Sequence, residues 1–362
     1  MSAVTVPGMS VRFVLRDPLG ETVARDVADG CWVVAEGGAE TTVGEGLWAL
    51  PGLVDAHAHL AAEQLDYEPG DFEGAVLRAR QALQAGVTLI IDKGWRDATT
   101  IEVARHLPPT ERPEIDAAGR IITAEDGYYP GFAIEVGPDR LGAEVAAQAA
   151  VGLGWVKLIG DWPHRGVGPV ANFDEAQLRL AVEVAETAGA RVAIHTMARE
   201  VPSLAVAAGV HSIEHGLFLT EDDLATLVGR EGMWVPTVGR IEETIAQLGA
   251  ASSGGRLLSE GLENVRRLLP LAAEAGVVIL AGTDLVGSPA GVAEEAIRLG
   301  ACGLSNRQLV EAVSITGRAA TGRSFRFEPG MPADAVLYPV DPIIEPAVLS
   351  HPAAVVRMGR ML

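Results

Sequence analysis

The chain has 362 residues, a length of roughly two domains, and carries 48 Asp and Glu against 28 Lys and Arg, for a net charge of −20. That balance excludes a phosphate-neutralising nucleic-acid surface and a polybasic membrane-surface segment. Hydrophobic residues at 48% fill a large core, and no run of 18 apolar residues offers a membrane span.

The first four residues, Met1-Ser2-Ala3-Val4, show no basic stretch leading into an apolar one, so no secretory leader is expected. Cys31 and Cys302 lie far apart without a CxxC spacing, which predicts free thiols and a cytoplasmic protein. Residues 1–50 read as short strands, with Val11-Arg12-Phe13-Val14-Leu15 and Cys31-Trp32-Val33-Val34 divided by Asp, Gly and Pro. The same texture returns at residues 335–340 and 354–358. These ends, 1–50 plus 328–362, predict one small β-sandwich domain built from both termini.

Residues 51–327 alternate between apolar runs and helical stretches. Strands are predicted at 54–59, 87–92, 114–118, 155–159, 191–195, 211–214, 233–236 and 277–283, and helices at 72–85, 141–151, 174–188, 261–275 and 291–299. In the helix at 174–188, Leu178, Val182 and Ala185 share one face. Ala-Gly-Val steps such as Ala275-Gly276-Val277 place a glycine C-cap before the next strand and absorb part of the 42 glycines. Eight such units predict an α/β fold, a (β/α)8 TIM barrel. A doubly wound sheet would want a glycine-rich loop after Val54, and none is there.

Chemistry gathers at the strand ends. In Leu53-Val54-Asp55-Ala56-His57-Ala58-His59 the two histidines sit two apart, so in a strand they share a face and form a pair of ligands for zinc or a similar ion. His195, His215 and Asp284 each end another apolar run, where barrel active sites assemble. Singly, a strand-end His reads as a hydrogen-bonded core residue and Thr283-Asp284 as a helix cap; together they read as a site. Only two of the 28 basic residues are lysines, Lys93 and Lys157. Lys157 lies inside Trp155-Val156-Lys157-Leu158-Ile159, where a lone ammonium is costly, so it must be neutralised, paired or modified. Arginine cannot take that place as an amine. Lys93 reads as structural or as a rim residue. His106, His211 and His351 read as structural, and His164 falls in the loop after the Lys157 strand.

The segments Leu50-Pro51-Gly52-Leu53-Val54-Asp55-Ala56-His57-Ala58-His59, Gly209 to Gly216, Gly282-Thr283-Asp284 and Gly330 to Leu337 together resemble the metal-dependent amidohydrolase superfamily, most closely its prolidase-like and imidazolonepropionase-like members. The resemblance spans the whole chain. It implies two divalent ions, zinc first with iron or manganese as alternatives. His57 and His59 would hold one ion, shared with Asp284, and His195 and His215 the other. Lys157 would be carboxylated by CO₂ and bridge both. It further implies hydrolysis of an amide C–N bond in a peptide-like or N-acyl amino acid substrate, by a hydroxide held between the ions with Asp284 as general base and acid.

The Gly-Gly-His of peptidase-like relatives after the third strand is replaced by Glu125-Asp126-Gly127-Tyr128-Tyr129-Pro130-Gly131. Tyr128, Tyr129 and Trp162 are therefore the candidate pocket walls, with Trp95, and Arg165 and Arg240 the candidate cations for the substrate. Alternatives are a one-metal hydrolase of a cyclic amide, a deaminase, or a non-catalytic barrel. The expected partner is a small-molecule amide, with no nucleic acid and no membrane, and a homo-oligomer is an open expectation.

Overall fold

The computed structural model describes residues 11–16, 20–62, 71–164, 166–284 and 291–362. Its centre is a curled parallel sheet. Of its ten described strands, eight follow one another in sequence: Leu53–Ala58, Val87–Asp92, Glu114–Ala118, Gly154–Ile159, Arg191–Thr196, Ser212–His215, Met233–Val235 and Val278–Ile279; Ile122–Ala124 and Ile134–Val136 add on beside Gly154–Ile159. The eight hydrogen-bond in that same order. The first and last edges meet through Ala56 N donating to Ala281 O at 2.9 Å and Asp284 N to His57 O at 2.7 Å.

Residues facing inward from these strands mix small and large side chains. Ala56, Ala118 and Ala193 leave room for Trp155, Met233 and Leu280 in one inner cluster. The outward faces meet the helices in the largest cluster, where Ile90, Val156, Ile194 and Ile213 are fully buried. Strands buried on both faces read as continuous apolar runs, which is why they were visible in the sequence.

Helices at Phe72–Gln84, Leu141–Val151, Glu175–Thr187 and Val292–Ala301 agree with expectation within two residues. Asp174 caps its helix reciprocally with Gln177. Two helices end on left-handed glycines as expected, Gly209 at φ 89° and Gly276 at φ 90°. The expected helix at 261–275 is a correction: it starts at Ser253 and runs to Ala275. Gly254, Gly255 and Pro270 hid its length, and Gly261 lets it approach the Leu217 side chain, which a Cβ would meet at 2.7 Å. The eighth strand is also shorter than expected. The strand ends at Ile279; beyond it Leu280 N still donates to Trp234 O at 3.0 Å, but Ala281 N turns away to Ala312 O at 3.2 Å, and a Cβ on Gly282 would lie 2.6 Å from the His57 Cβ.

Strands from residues 11–50 and 335–361 join one sheet. Its strands run in the order Arg360–Met361, Ala354–Arg357, Ala335–Tyr338, Trp48–Leu50, Val11–Arg16, Thr22–Ala28, Cys31–Val34, with Thr41–Val43 also on Val11–Arg16. Phe13, Trp32 and Phe327 pack edge to face in its core, with centroids 5.3 and 6.2 Å apart. A buried charge cluster ties this sheet to the parallel one: Asp334 pairs with Arg357, and Arg318 reaches Thr88 Oγ1 at 2.6 Å. Among the described residues no helix is long and apolar enough to cross a membrane.

Candidate active site

All the expected ligands gather at the C-terminal end of the parallel sheet. His57 lies in the first strand and His59 just beyond it. Lys157 lies in the fourth, His195 in the fifth and His215 at the end of the sixth; Asp284 follows the eighth. Three residues here adopt left-handed backbone: His215 at φ 64°, Thr237 at φ 48° and Asp284 at φ 43°. Such conformations cost a non-glycine residue on the order of 1–3 kcal/mol, and they collect at functional sites. The His215 carbonyl is held by Trp234 Nε1 at 2.9 Å, and the Asp284 amide by His57 O.

Each of three imidazoles is tied down on its Nδ1 side. His59 Nδ1 lies 2.6 Å from the Gly94 carbonyl, which only accepts, so Nδ1 carries the proton. His57 Nδ1 lies 2.7 Å from Glu214 Oε2, a close charge contact without hydrogen-bond geometry, and the carboxylate favours the proton on that nitrogen. His215 Nδ1 lies 2.6 Å from Thr237 Oγ1, whose own proton goes to Pro236 O at 2.8 Å, so the hydroxyl accepts from the ring. The Nε2 lone pairs are thereby left facing inward. They meet the Asp284 carboxylate, at 3.5 Å for His57, 3.3 Å for His59 and 3.8 Å for His215. His195 reaches the same point through Nδ1, 2.9 Å from His215 Nε2. Ring and carboxylate acceptors crowd together here beside the Lys157 amine, with His195 Nδ1 and His215 Nε2 free to share one proton, and a cation among them would stabilise the set. His57, His59 and Asp284 alone bring three ligand atoms within 4.8 Å of one another.

The electrostatics agree. Burial lowers His57 to about 4 and His215 to about 3, and drives His195 well below its ordinary value. All three are neutral near pH 7, as ligands must be. Lys157 is buried with no hydrogen-bond partner for Nζ among the described residues, and burial lowers it to about 8. An amine so placed is partly unprotonated near neutrality, the form in which it can react with CO₂.

Sequence reasoning missed the residues behind the ligands. Glu214 is fully buried, and Lys93 Nζ lies 3.1 Å from its Oε1 while Ser212 Oγ donates to the same atom at 2.6 Å. Burial would raise the Glu214 carboxyl, but the Lys93 ammonium, the His57 ring and the Lys157 amine together outweigh it and hold it well below the usual range. Lys93 also stands 4.3 Å from the Trp155 ring centre. It is interior, not on the rim. Thr237 was likewise passed over, as was Asp55, whose carboxylate takes Thr283 Oγ1 at 2.6 Å and the His57 amide at 3.1 Å. Asp161, raised to about 7 by burial, receives the Met197 and Ala198 amides at 2.8 and 2.9 Å.

Above the ligands opens a cavity of about 900 Å³. Tyr128, Tyr129, Trp162, Trp95 and Arg240 line it, and so does His164. Arg165 lies outside the described residues.

Comparison with known proteins bears on this geometry. The sequence profile described as "Amidohydrolase family" matches residues 48–361. An uncharacterized protein of Mycobacterium tuberculosis, Rv2915c, is 34% identical over 339 residues, covering 88% of this chain and 86% of its own. Among solved structures, a Xaa-Pro dipeptidase with bound methionine superposes with a TM-score of 0.81 at 19% identity, covering 98% of this chain and 99% of that one. An A. niger ochratoxinase gives 0.81 at 18%, covering 98% and 95%. A putative prolidase from Bifidobacterium longum gives 0.80 at 20%, covering 98% and 94%. At these identities the structural likeness is one of fold.

Proposed function

The chain belongs to the amidohydrolase family, and on that premise we propose that it is a metal-dependent hydrolase cleaving the amide C–N bond of a small peptide-like or N-acyl amino acid substrate. The observation that carries this is the meeting of three imidazole lone pairs with the Asp284 carboxylate. His57 and His59, with Asp284, would hold one ion, and His195 and His215 a second. Lys157, as a carbamate, would bridge them. Two divalent ions, zinc in our reading, would supply positive charge to polarise the amide carbonyl and acidify water.

The chain's own part is to place and move protons. Asp284, at the mouth of the ligand cup, accepts the proton of the attacking water and returns it to the leaving nitrogen. Glu214, Gly94 and Thr237 keep each ring's Nε2 turned inward. In this reading residues 51–327 form a (β/α)8 barrel and residues 1–50 with 328–362 a β-sandwich. The bonds joining strand Leu53–Ala58 to residues 281–284 support closure of the barrel.

Elemental analysis of protein purified without chelators tests the ion count. Close to two equivalents per chain supports the reading. One equivalent favours a one-metal hydrolase, for which the compact His57, His59 and Asp284 group is the natural site. Asp284→Asn should lower kcat by about 10²–10⁴; a rate near wild type removes Asp284 from this role.

A further inference from the structure

The cavity over the ligands has two chemically different sides. One side rises from the ends of the second, third and fourth parallel strands and is aromatic. Trp95 and Phe132 are buried and pack edge to face, with centroids 4.6 Å apart. Tyr128 joins them, 5.5 Å from Phe132 and 4.5 Å from Trp162. Tyr129 lies 4.6 Å from Trp162 and is 39% exposed. Buried rings thus back a layer of rings that reach the cavity, which is more than core packing requires. The wall also touches the ligands at both ends: Trp95 stands 5.4 Å from the His59 ring, and Trp162 6.5 Å from the His195 ring. A flat group laid on it lies beside the His59 and His195 rings.

The other side comes from the helix that follows the seventh strand, across the curl of the sheet, and it carries a cation. Two described arginines line the cavity. Arg199 is engaged by Glu260 through both Nη atoms at 2.6 Å. Among the described residues Arg240 gives only Nη1, to Glu243 at 3.1 Å, and its side chain is largely buried. Its remaining donors suit a carboxylate, whose two oxygens match the guanidinium fork. The space, about 900 Å³, lies near the top of the range for drug-sized ligands.

We propose that the substrate is an N-aroyl amino acid: its aromatic acyl group lies on the Tyr128–Trp162 wall, its carboxylate on Arg240, and the scissile amide over the ligands between them. This rests on the hydrolase reading above. Water adds its hydroxyl to the acyl carbon and its proton to the nitrogen as the C–N bond breaks, giving an aromatic acid and a free amino acid.

The test is a matched series on the metal-loaded chain: N-(2-naphthoyl)-, N-cyclohexanecarbonyl- and N-acetyl-leucine, and N-(2-naphthoyl)-leucinamide. Turnover and binding, the latter by tryptophan fluorescence quenching, are measured for each. The naphthoyl compound should exceed the cyclohexyl one about 2- to 12-fold in kcat/KM, the span of an aromatic pair. Loss of the carboxylate should cost at least about 10-fold, as for a hydrogen bond to a charged group. Trp162→Leu should narrow the first ratio and Arg240→Gln the second, with Arg240→Lys restoring part of the latter. Turnover that ignores both ring and carboxylate overturns this proposal and leaves the hydrolase reading standing. Binding that follows both, with no amide turned over, overturns the hydrolase reading and leaves the pocket assignment. Neither binding nor turnover across the series overturns both.

Discussion

Replacing Lys93 by methionine removes the one ammonium that Glu214 contacts at the heart of the parallel sheet. The Glu214 carboxylate is fully buried, and once Lys93 is gone its close partners among the described residues are the Ser212 hydroxyl at 2.6 Å and the His57 ring at 2.7 Å. Stranding one partner of a buried ion pair costs about 3–5 kcal/mol. Unfolding entropy of about 2.1 cal/mol/K per residue, over 362 residues, is roughly 0.76 kcal/mol/K, so a loss of about 4 kcal/mol lowers Tm by about 5 °C. The assay is thermal melting by circular dichroism at pH 7.5 of wild type, Lys93→Met, Glu214→Gln and the double variant. The double variant should be less damaged than the sum of the singles, with a coupling within the usual 0.5–3 kcal/mol. The sign with pH is also fixed. The folded Glu214 carboxyl is depressed, so its contribution is present above the ordinary carboxylate range and is lost as pH falls through the folded value. The deficit of Lys93→Met should therefore shrink on acidification, because Glu214 can then take up a proton. A single variant melting within about 1 °C of wild type, or an additive double, refutes the reasoning.

Thr237→Ala removes the acceptor that holds His215 Nδ1 at 2.6 Å; zinc affinity by competitive chelation should fall about 10–100-fold, and Thr237→Ser should retain it. Gly282→Ala puts a methyl 2.6 Å from the His57 Cβ and 2.7 Å from Val235 Cγ1; overpacking of about 1–3 kcal/mol should appear in Tm together with weakened metal binding, and an unchanged protein would show that the strands yield freely. Glu295, buried beneath the helix that carries Arg240, is raised to about 8 although it accepts the Val238 and Gly239 amides at 2.6 and 2.9 Å. A carboxyl protonated in the native state but ionised in the unfolded one makes stability fall as pH rises from about 4.5 toward 8. Glu295→Gln should flatten that slope in a Tm series, and an identical slope in the variant assigns it to other groups.

Much of the site was legible because strand alternation does the positioning. His57 and His59 sit two apart, and the apolar runs before His195 and His215 end where the sheet ends. Lys157 stood out because nearly every other basic residue is arginine. Glu214 escaped for a backbone reason. Strict alternation turns Glu214 and His215 to opposite faces, but His215 leaves the strand in left-handed backbone, so both side chains contribute to the centre. No residue type announces that turn when it is made by histidine instead of glycine. The support from Gly94 was hidden too, since a carbonyl oxygen has no signature in the sequence. The eighth strand was overextended because residues 280–283 look like strand, while past Leu280, which still bonds Trp234 O, their bonds go to Ala312, the first strand and the Asp55 carboxylate.

The scarcity of lysine has a practical side. Lys93 and Lys157 are 1% and 2% exposed, so succinimidyl esters and other acylating reagents find no side-chain amine on the outer surface. Of the two, Lys157 lines the cavity floor and carries the lowered pKa. Slow acylation at that one position, read by peptide mass mapping, becomes a clock for how often the centre stands open, and bound ions or a snugly held ligand should stop it.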